Sequence, residues 1–379
     1  MGGPARRRYD RGVSDWLQAA LTTHSIIDAA RAKLEPDVWD YIAGAAETET
    51  TARRNRVAID SLALRPRVGR DVGHVDASAS LLGHRLRIPL VLSPIGACQA
   101  ITTDGGIAQA RAAERFGIVP AISSVTEPSF EAVGAATAGP KISQLYIRGD
   151  EAWTDALIDR VREAGFIATA VTVDSAYYGR RERQLRSGWR PPTHRGGSEP
   201  GISWQSRLTW DWIEHMHERS GLPMVVKGIQ TAADAEIAVE RGFEVVWVSN
   251  HGGRELDHGE ATIEILREVV DAVAGGAAVV VDGGFMRGTD VLKAIALGAQ
   301  AVGIGRLQAL ALAAGGEDAL VRTLELLEAE IIVAMGLLGV VSLAELDPSY
   351  VKRAHALAAP SSLLAAFPEH PPDWPPPAV

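Results

Sequence analysis

The chain has 379 residues, 46% hydrophobic and 22% charged, enough for a sizeable core in one large domain or two. A net charge of −9 excludes an electrostatic case for nucleic acid or an anionic membrane surface. The single cysteine, Cys98, excludes an intrachain disulfide and points to a reducing cytoplasm.

In chain order, Arg6-Arg7-Arg8 comes first, followed by Tyr9-Asp10-Arg11-Gly12 rather than by an apolar run. Residues 1–22 therefore read as a flexible basic arm and not as a signal peptide. Ser25 to Ala46 reads as a helical preface, with Ser25 and Asp28 spaced like a capping box. Apolar runs then alternate with helical patterns. Predicted strands cover Leu90–Ser93, Val119–Ser123, Lys141–Tyr146, Ala168–Val173, Met224–Lys227, Val245–Ser249, Ala278–Asp282 and Ala301–Ile304. Predicted helices follow at Gly105–Phe116, from Ser129, at Asp150–Ala164, Thr231–Arg241, Ala261–Val273 and Thr289–Leu297. Eight such units predict an α/β fold, a (β/α)8 TIM barrel with an N-terminal helical segment. No Gly-x-Gly-x-x-Gly follows the first strand, which argues against an open dinucleotide-binding sheet. The stretch from Arg183 to Gln205 is rich in Pro, Gly, Ser and Arg and reads as a mobile lid loop after strand 4. Ile331 to Val341 is too short to span a bilayer and reads as a buried helix end. The barrel domain is expected over residues 23–365, with a proline-rich tail over 366–379.

The ends of the predicted strands carry the chemistry. Strand 6 runs into Ser249-Asn250-His251-Gly252-Gly253-Arg254. There an imidazole can move a proton while a guanidinium three residues on grips an anion. Strand 4 ends in Thr172-Val173-Asp174, followed by Gly179-Arg180-Arg181. Asp174 is placed to fix the tautomer of His251 and to stabilise its protonated form. Arg181 and Arg254 together suit a carboxylate. Strands 7 and 8 end in Asp282-Gly283-Gly284 and Gly303-Ile304-Gly305-Arg306, the usual barrel cradle for a phosphate. The histidines form no ligand cluster, so no metal is expected.

Three segments together resemble the FMN-dependent α-hydroxy acid oxidase and dehydrogenase family, which includes glycolate oxidase, lactate oxidase, lactate monooxygenase and mandelate dehydrogenase. They are Ser249 through Asp257, Asp282 through Ala294, and Thr172-Val173-Asp174 with Gly179-Arg180-Arg181-Glu182, inside a match from about Ser25 to Leu346. The resemblance implies FMN as cofactor and His251 as active-site base, partnered by Asp174. It implies Tyr41, Tyr146, Arg181 and Arg254 as substrate-binding residues, and Lys227 beside the flavin ring, where it offsets developing negative charge. Pro94, Gly96, Ser123, Gln144, Thr172, Ser249 and Asp282 are implied as flavin contacts, with Gly284, Gly305 and Arg306 as the phosphate grip. It also implies a homotetramer, and oxygen or another acceptor as the oxidant.

Departures from the family pattern bear on substrate size. Val125 stands where glycolate oxidase-like members carry a tryptophan, Gly96 where alanine is common, and Tyr178 where a smaller apolar residue is usual. Met286 replaces the first of two arginines after Asp282-Gly283-Gly284. The loop after strand 4 is shorter than in glycolate oxidase, which excludes a long membrane-inserting segment there. The expectation is oxidation of an (S)-2-hydroxy acid with a bulky or aromatic side chain to the 2-oxo acid. A flavin-dependent tailoring oxidase acting on a larger biosynthetic intermediate is the main alternative, and an FMN barrel isomerase without net redox change is a weaker one.

Overall fold

Eight apolar runs of three to six residues become eight parallel strands because each is covered on both faces. They are β1 (Leu90–Leu92), β2 (Val119–Ser123), β3 (Ile142–Leu145), β4 (Ala168–Thr172), β5 (Met224–Ile229), β6 (Val245–Val248), β7 (Ala278–Val281) and β8 (Ala301–Ile304). The computed structural model describes residues 13–192 and 204–355. In it these strands pair in sequence order, and β8 closes the barrel onto β1 through Val302 opposite Leu90 and Ile304 opposite Leu92. Trp247 of β6, fully buried, fills the interior beside Gly303, where a Cβ would lie 2.8 Å from the indole. Every predicted strand is present, most of them ending one residue earlier than the apolar run suggests.

Four helices precede the barrel: α1 (Val13–Ala19), α2 (Thr23–Lys33), α3 (Pro36–Ala43) and α4 (Thr50–Asp60). The helical preface is thus two helices broken at Pro36. The expected Ser25–Asp28 box is replaced by Thr22, whose hydroxyl accepts from the Ser25 amide at 3.2 Å. The expected arm over residues 1–22 is also corrected in part. Its last third is α1, with Leu17 buried and Trp16 lying 3.1 Å from the Cβ position of Gly315. The remainder, residues 1–12, lies outside the described residues, as does the stretch 356–379 that holds the expected tail.

The barrel helices are α5 (Gly106–Phe116), α6 (Phe130–Ala136), α7 (Glu151–Glu163), α8 (Glu182–Ser187), α9 (Trp210–Ser220), α10 (Ala232–Glu240), α11 (Thr262–Val273), α12 (Gly288–Ala296) and α13 (Arg306–Leu338). The predicted buried helix end from Ile331 is the last turns of α13. One face of it is buried (Ile331, Met335, Leu338), but Val333 and Leu337 are exposed, so that reading is half corrected. No helix among the described residues is long and apolar enough to cross a membrane. The expected lid loop opens with α8 and closes on the turn Trp204–Arg207. There Gln205 is buried, donating to Thr172 O at 2.6 Å and accepting from the Ile147 amide at 2.7 Å. That end of the segment is pinned to the tips of β3 and β4, not free to swing. Residues 193–203 lie outside the described residues.

Asp257, inside the strand 6 motif, has a structural duty. Its carboxylate accepts from the amides of Thr48, Thr50 and Thr51 at the start of α4. Burial opposes its charge, but these amides hold its carboxyl well below the usual range. Asn55 of α4 exchanges two side-chain hydrogen bonds with Asn250, both 2.9 Å, and so fastens the preface over the barrel mouth.

Candidate active site

At the C-terminal ends of the strands lies a cavity of about 680 Å³. His251, just after β6, sits on its wall with its backbone in the left-handed region at φ 56°. Such a conformation is costly for a residue with a Cβ and is commonest where a site dictates it. The next residue, Gly252, is left-handed as well, and a Cβ there would lie 2.7 Å from an Arg306 guanidinium nitrogen.

The imidazole is oriented from both sides. Nδ1 lies 2.9 Å from Asp174 Oδ1 and 3.3 Å from Ser175 Oγ, while Nε2 lies 3.3 Å from the Tyr146 hydroxyl. Asp174 is behind the histidine and buried. Burial alone would raise its pKa, but the charge and hydrogen bond of His251, then Lys227, hold its carboxyl below the usual range. Burial, reinforced by Glu255 and Asp174, pushes the Tyr146 hydroxyl well above its ordinary value, so it stays protonated.

Four cations ring this centre, and they divide into two kinds. Lys227 is neutralised by Asp282 at 3.0 Å and bonded to Ser249 at 2.7 Å. Arg181 donates to Glu255 at 2.6 Å and to the Arg254 carbonyl. Glu255 also accepts from the Gly179 amide at 2.6 Å. Among the described residues, Arg254 and Arg306 have no carboxylate partner. Arg254 donates only to the carbonyls of Tyr41 and Gly44, and Arg306 only to those of Ile42, Gly44 and Gly252. Burial first, then the neighbouring Arg181, pushes the Arg254 guanidinium down to about 9. Burial pushes Arg306 down to about 10. Two half-buried cations held by carbonyl dipoles suit two anions.

Comparison with known proteins identifies the family. Residues 30–353 fit the model of the FMN-dependent dehydrogenase family. The chain belongs to that family. Glycolate oxidase 3 of Arabidopsis thaliana is 37% identical, the match covering 85% of this chain and 93% of that protein. An L-lactate oxidase of Nostoc sp. is 38% identical over 85% of this chain and 95% of its own. A crystal structure of mandelate oxidase with (S)-2-phenylpropionate superposes with a TM-score of 0.82 at 36% identity, covering 89% of this chain and 99% of that one. The protein is an FMN-dependent oxidoreductase acting on a CH–OH group.

The residues present fit FMN as the family cofactor. Arg306 opens α13 and lines the cavity together with Gly305 and the left-handed Gly283 and Gly284, a set suited to a phosphate. Gln144 donates to Thr172 Oγ1 at 2.8 Å, while its own side-chain oxygen is buried with no partner among the described residues, an acceptor aimed at a missing donor. Pro94, Gly96, Thr172, Lys227 and Asp282 line the cavity with them.

Other residues expected at the site have protein partners of their own. Ser123 is buried beneath the wall, its hydroxyl accepting from the Val125 amide at 3.3 Å. Ser249 is also buried, donating to Asp282 at 2.6 Å, so Ser249 and Asp282 fix Lys227 from below. The Tyr41 hydroxyl donates to the Gly96 carbonyl at 2.9 Å, and its ring lies against Trp189 with centroids 5.0 Å apart. Of the two arginines expected to clamp a carboxylate, Arg181 is paired with Glu255, whereas Arg254 has no carboxylate partner among the described residues. Sequence reasoning gave Glu255 no role. Its position four residues after His251 was the available signal, since that spacing brings Oε1 to 3.9 Å from Nε2. Val125, Tyr178 and Met286 line the cavity as expected. Gly96 opens less space than its missing side chain suggests, because a Cβ there would meet Val125 Cγ2 at 3.0 Å.

Proposed function

We propose that the 2-hydroxy acid oxidised here is the (S) form with a bulky or aromatic side chain, and that the product is the 2-oxo acid. The observation that carries the chemistry is the His251–Asp174 pair facing a cavity that also holds the carboxylate-free Arg254. Arg254 receives the substrate carboxylate, with Tyr41 and the Arg181–Glu255 pair beside it. This places the 2-hydroxyl near Tyr146 and Nε2 of His251. His251 accepts a proton from the substrate at Nε2, and Asp174 stabilises the resulting imidazolium across Nδ1. FMN, when bound, would supply the two-electron acceptor for the α-C–H bond that breaks, so that the α-hydrogen and the hydroxyl hydrogen both leave the substrate, one of them as the proton on His251. Lys227, held by Asp282 and Ser249, presents its ammonium where negative charge develops.

The size of the side chain is argued from Val125, which leaves free space that a tryptophan would fill, and from Tyr178 at the cavity mouth. Oxygen or another acceptor and a homotetrameric assembly belong to the same reading, supported by the family likeness, and a cytoplasmic location is supported by the lone buried Cys98. A larger biosynthetic intermediate is a second reading, favoured by the open mouth where Tyr178 is 50% and Trp204 39% exposed.

Anaerobic mixing of the FMN-loaded protein with a panel of (S)-2-hydroxy acids tests the proposal. Bleaching of the flavin absorbance with one equivalent of 2-oxo acid is expected. Flavin that stays oxidised with every acid would overturn it.

A further inference from the structure

The cavity carries more positive charge than its catalytic end uses. Lys227 is matched by Asp282 and Arg181 by Glu255. Arg254 is left for the substrate carboxylate and Arg306 for the FMN phosphate. Two further arginines line the same cavity, Arg148 and Arg190. Neither has a hydrogen-bond or ion-pair partner among the described residues. The acid nearest to Arg148 in the chain, Asp150, caps α7 by accepting from the Trp153 amide at 3.0 Å. Glu255 and Asp282 are the only acids on the cavity wall among the described residues, and both are committed.

These arginines lie at the mouth. Arg148 follows β3, two residues beyond Tyr146, and Tyr178 follows β4. The Arg148 charge acts on the Tyr178 hydroxyl and offsets part of the upward push that burial gives it. Arg190 stands in the segment that closes over Tyr41 through Trp189, and Trp204 completes the rim. A side chain leaving the substrate α-carbon toward the solvent would meet a lining that carries the rings of Tyr178 and Trp204 and these two guanidiniums.

Resting on the function proposed above, we infer that Arg148 and Arg190, with Tyr178, form a second anion subsite, and that the preferred substrate is a 2-hydroxy acid bearing a second carboxylate at the far end of its side chain. The near carboxylate goes to Arg254 and the distal one to the mouth. The aromatic surface between them carries the intervening carbons. Because the mouth is solvated, the gain is modest: one charge-assisted hydrogen bond, or about tenfold in KM.

The test uses matched pairs with the FMN-loaded enzyme: (S)-2-hydroxyglutarate, (S)-2-hydroxyadipate and (S)-4-carboxymandelate against (S)-2-hydroxypentanoate, (S)-2-hydroxyhexanoate and (S)-mandelate. Each pair gives a ratio of kcat/KM, and dissociation constants of the corresponding 2-oxo acids give the same ratio without turnover. At least one dicarboxylate should be preferred by about tenfold, and Arg148→Ala should bring that ratio close to one. Ratios near or below one in the wild type, or a preference unchanged by both Arg148→Ala and Arg190→Ala, overturn the subsite and leave the proposed function standing. If no acid of either series bleaches the flavin, the proposed function falls and the subsite with it.

Discussion

Asp174 Oδ1 lies 2.9 Å from Nδ1 of His251, and this one contact fixes which imidazole nitrogen faces the cavity. It turns Nε2 toward Tyr146 and makes the buried carboxylate the counter-charge of an imidazolium. Gly228 allows the approach, since a Cβ there would sit 2.8 Å from the Asp174 Cβ.

Removing either partner should stop the chemistry and spare the cofactor. His251→Ala should retain FMN and lose substrate reduction by about 10²–10⁴-fold, the usual worth of positioned proton transfer. Asp174→Asn keeps the shape and removes the charge, so it should lower the same rate with little change in KM. Stopped-flow reduction with a slow substrate reads both. Near wild-type rates in His251→Ala would exclude it as the base.

Arg254 gives a pH dependence whose sign follows from its depressed value. A guanidinium brought down to about 9 is cationic below that pH and loses charge above it. Affinity for carboxylate inhibitors should therefore hold from neutral pH to about 9 and fall beyond it. Arg254→Lys keeps a charge but loses the planar fork and should raise KM at neutral pH. Esters or amides oxidised as well as the free acids would argue against the clamp.

The phosphate end is short of cations. Met286 is buried on the cavity wall beside Phe285 and Gly284, Arg287 is engaged with Glu330 at 2.8 Å, and Arg306 is the cation proposed to meet the phosphate. Heat should release one FMN per chain, and Arg306→Met should give apoprotein. Met286→Arg should lower the FMN dissociation constant by about tenfold, the worth of one charge-assisted contact. Fluorescence titration of apoprotein with FMN measures each.

Glu255 holds Arg181 against the site. Glu255→Ala leaves a largely buried guanidinium without its carboxylate and should cost about 3 kcal/mol of stability, as for other broken buried pairs. Thermal melts of the FMN-loaded protein check this, and an unchanged melting temperature would show the pair to be dispensable.

The barrel was legible because each strand is an apolar run covered on both faces, so Val245–Val248 and Ala278–Val281 have no other fold to join. His251 and Asp174, the expected base and its partner, were legible because each closely follows such a run, β6 and β4 respectively. Contacts between distant segments left a weaker trace. Nothing local marks Asp257 as the cap of α4, or Asn55 as the partner of Asn250, because both pairings arise only when α4 closes over the barrel. The helix cap was misplaced by three residues because Thr22, Thr23 and Ser25 offer equivalent hydroxyls. The anchoring of the lid loop's far end was not legible, because Gln205 looks like any polar loop residue until β3 and β4 offer it two backbone partners.

Val125 is the residue on which the size argument turns. Val125→Trp should fill the space that it leaves and shift preference toward small acids, each lost or gained methylene contact being worth about 1–3 kcal/mol. A specificity profile of this variant with glycolate and mandelate shows the shift, and an unchanged profile would move the size determinant elsewhere.

Specificity constants of the wild-type enzyme for glycolate, (S)-lactate, (S)-2-hydroxyoctanoate and (S)-mandelate test the central claim most directly. The account predicts higher kcat/KM for mandelate or 2-hydroxyoctanoate than for glycolate. A preference for glycolate would contradict it.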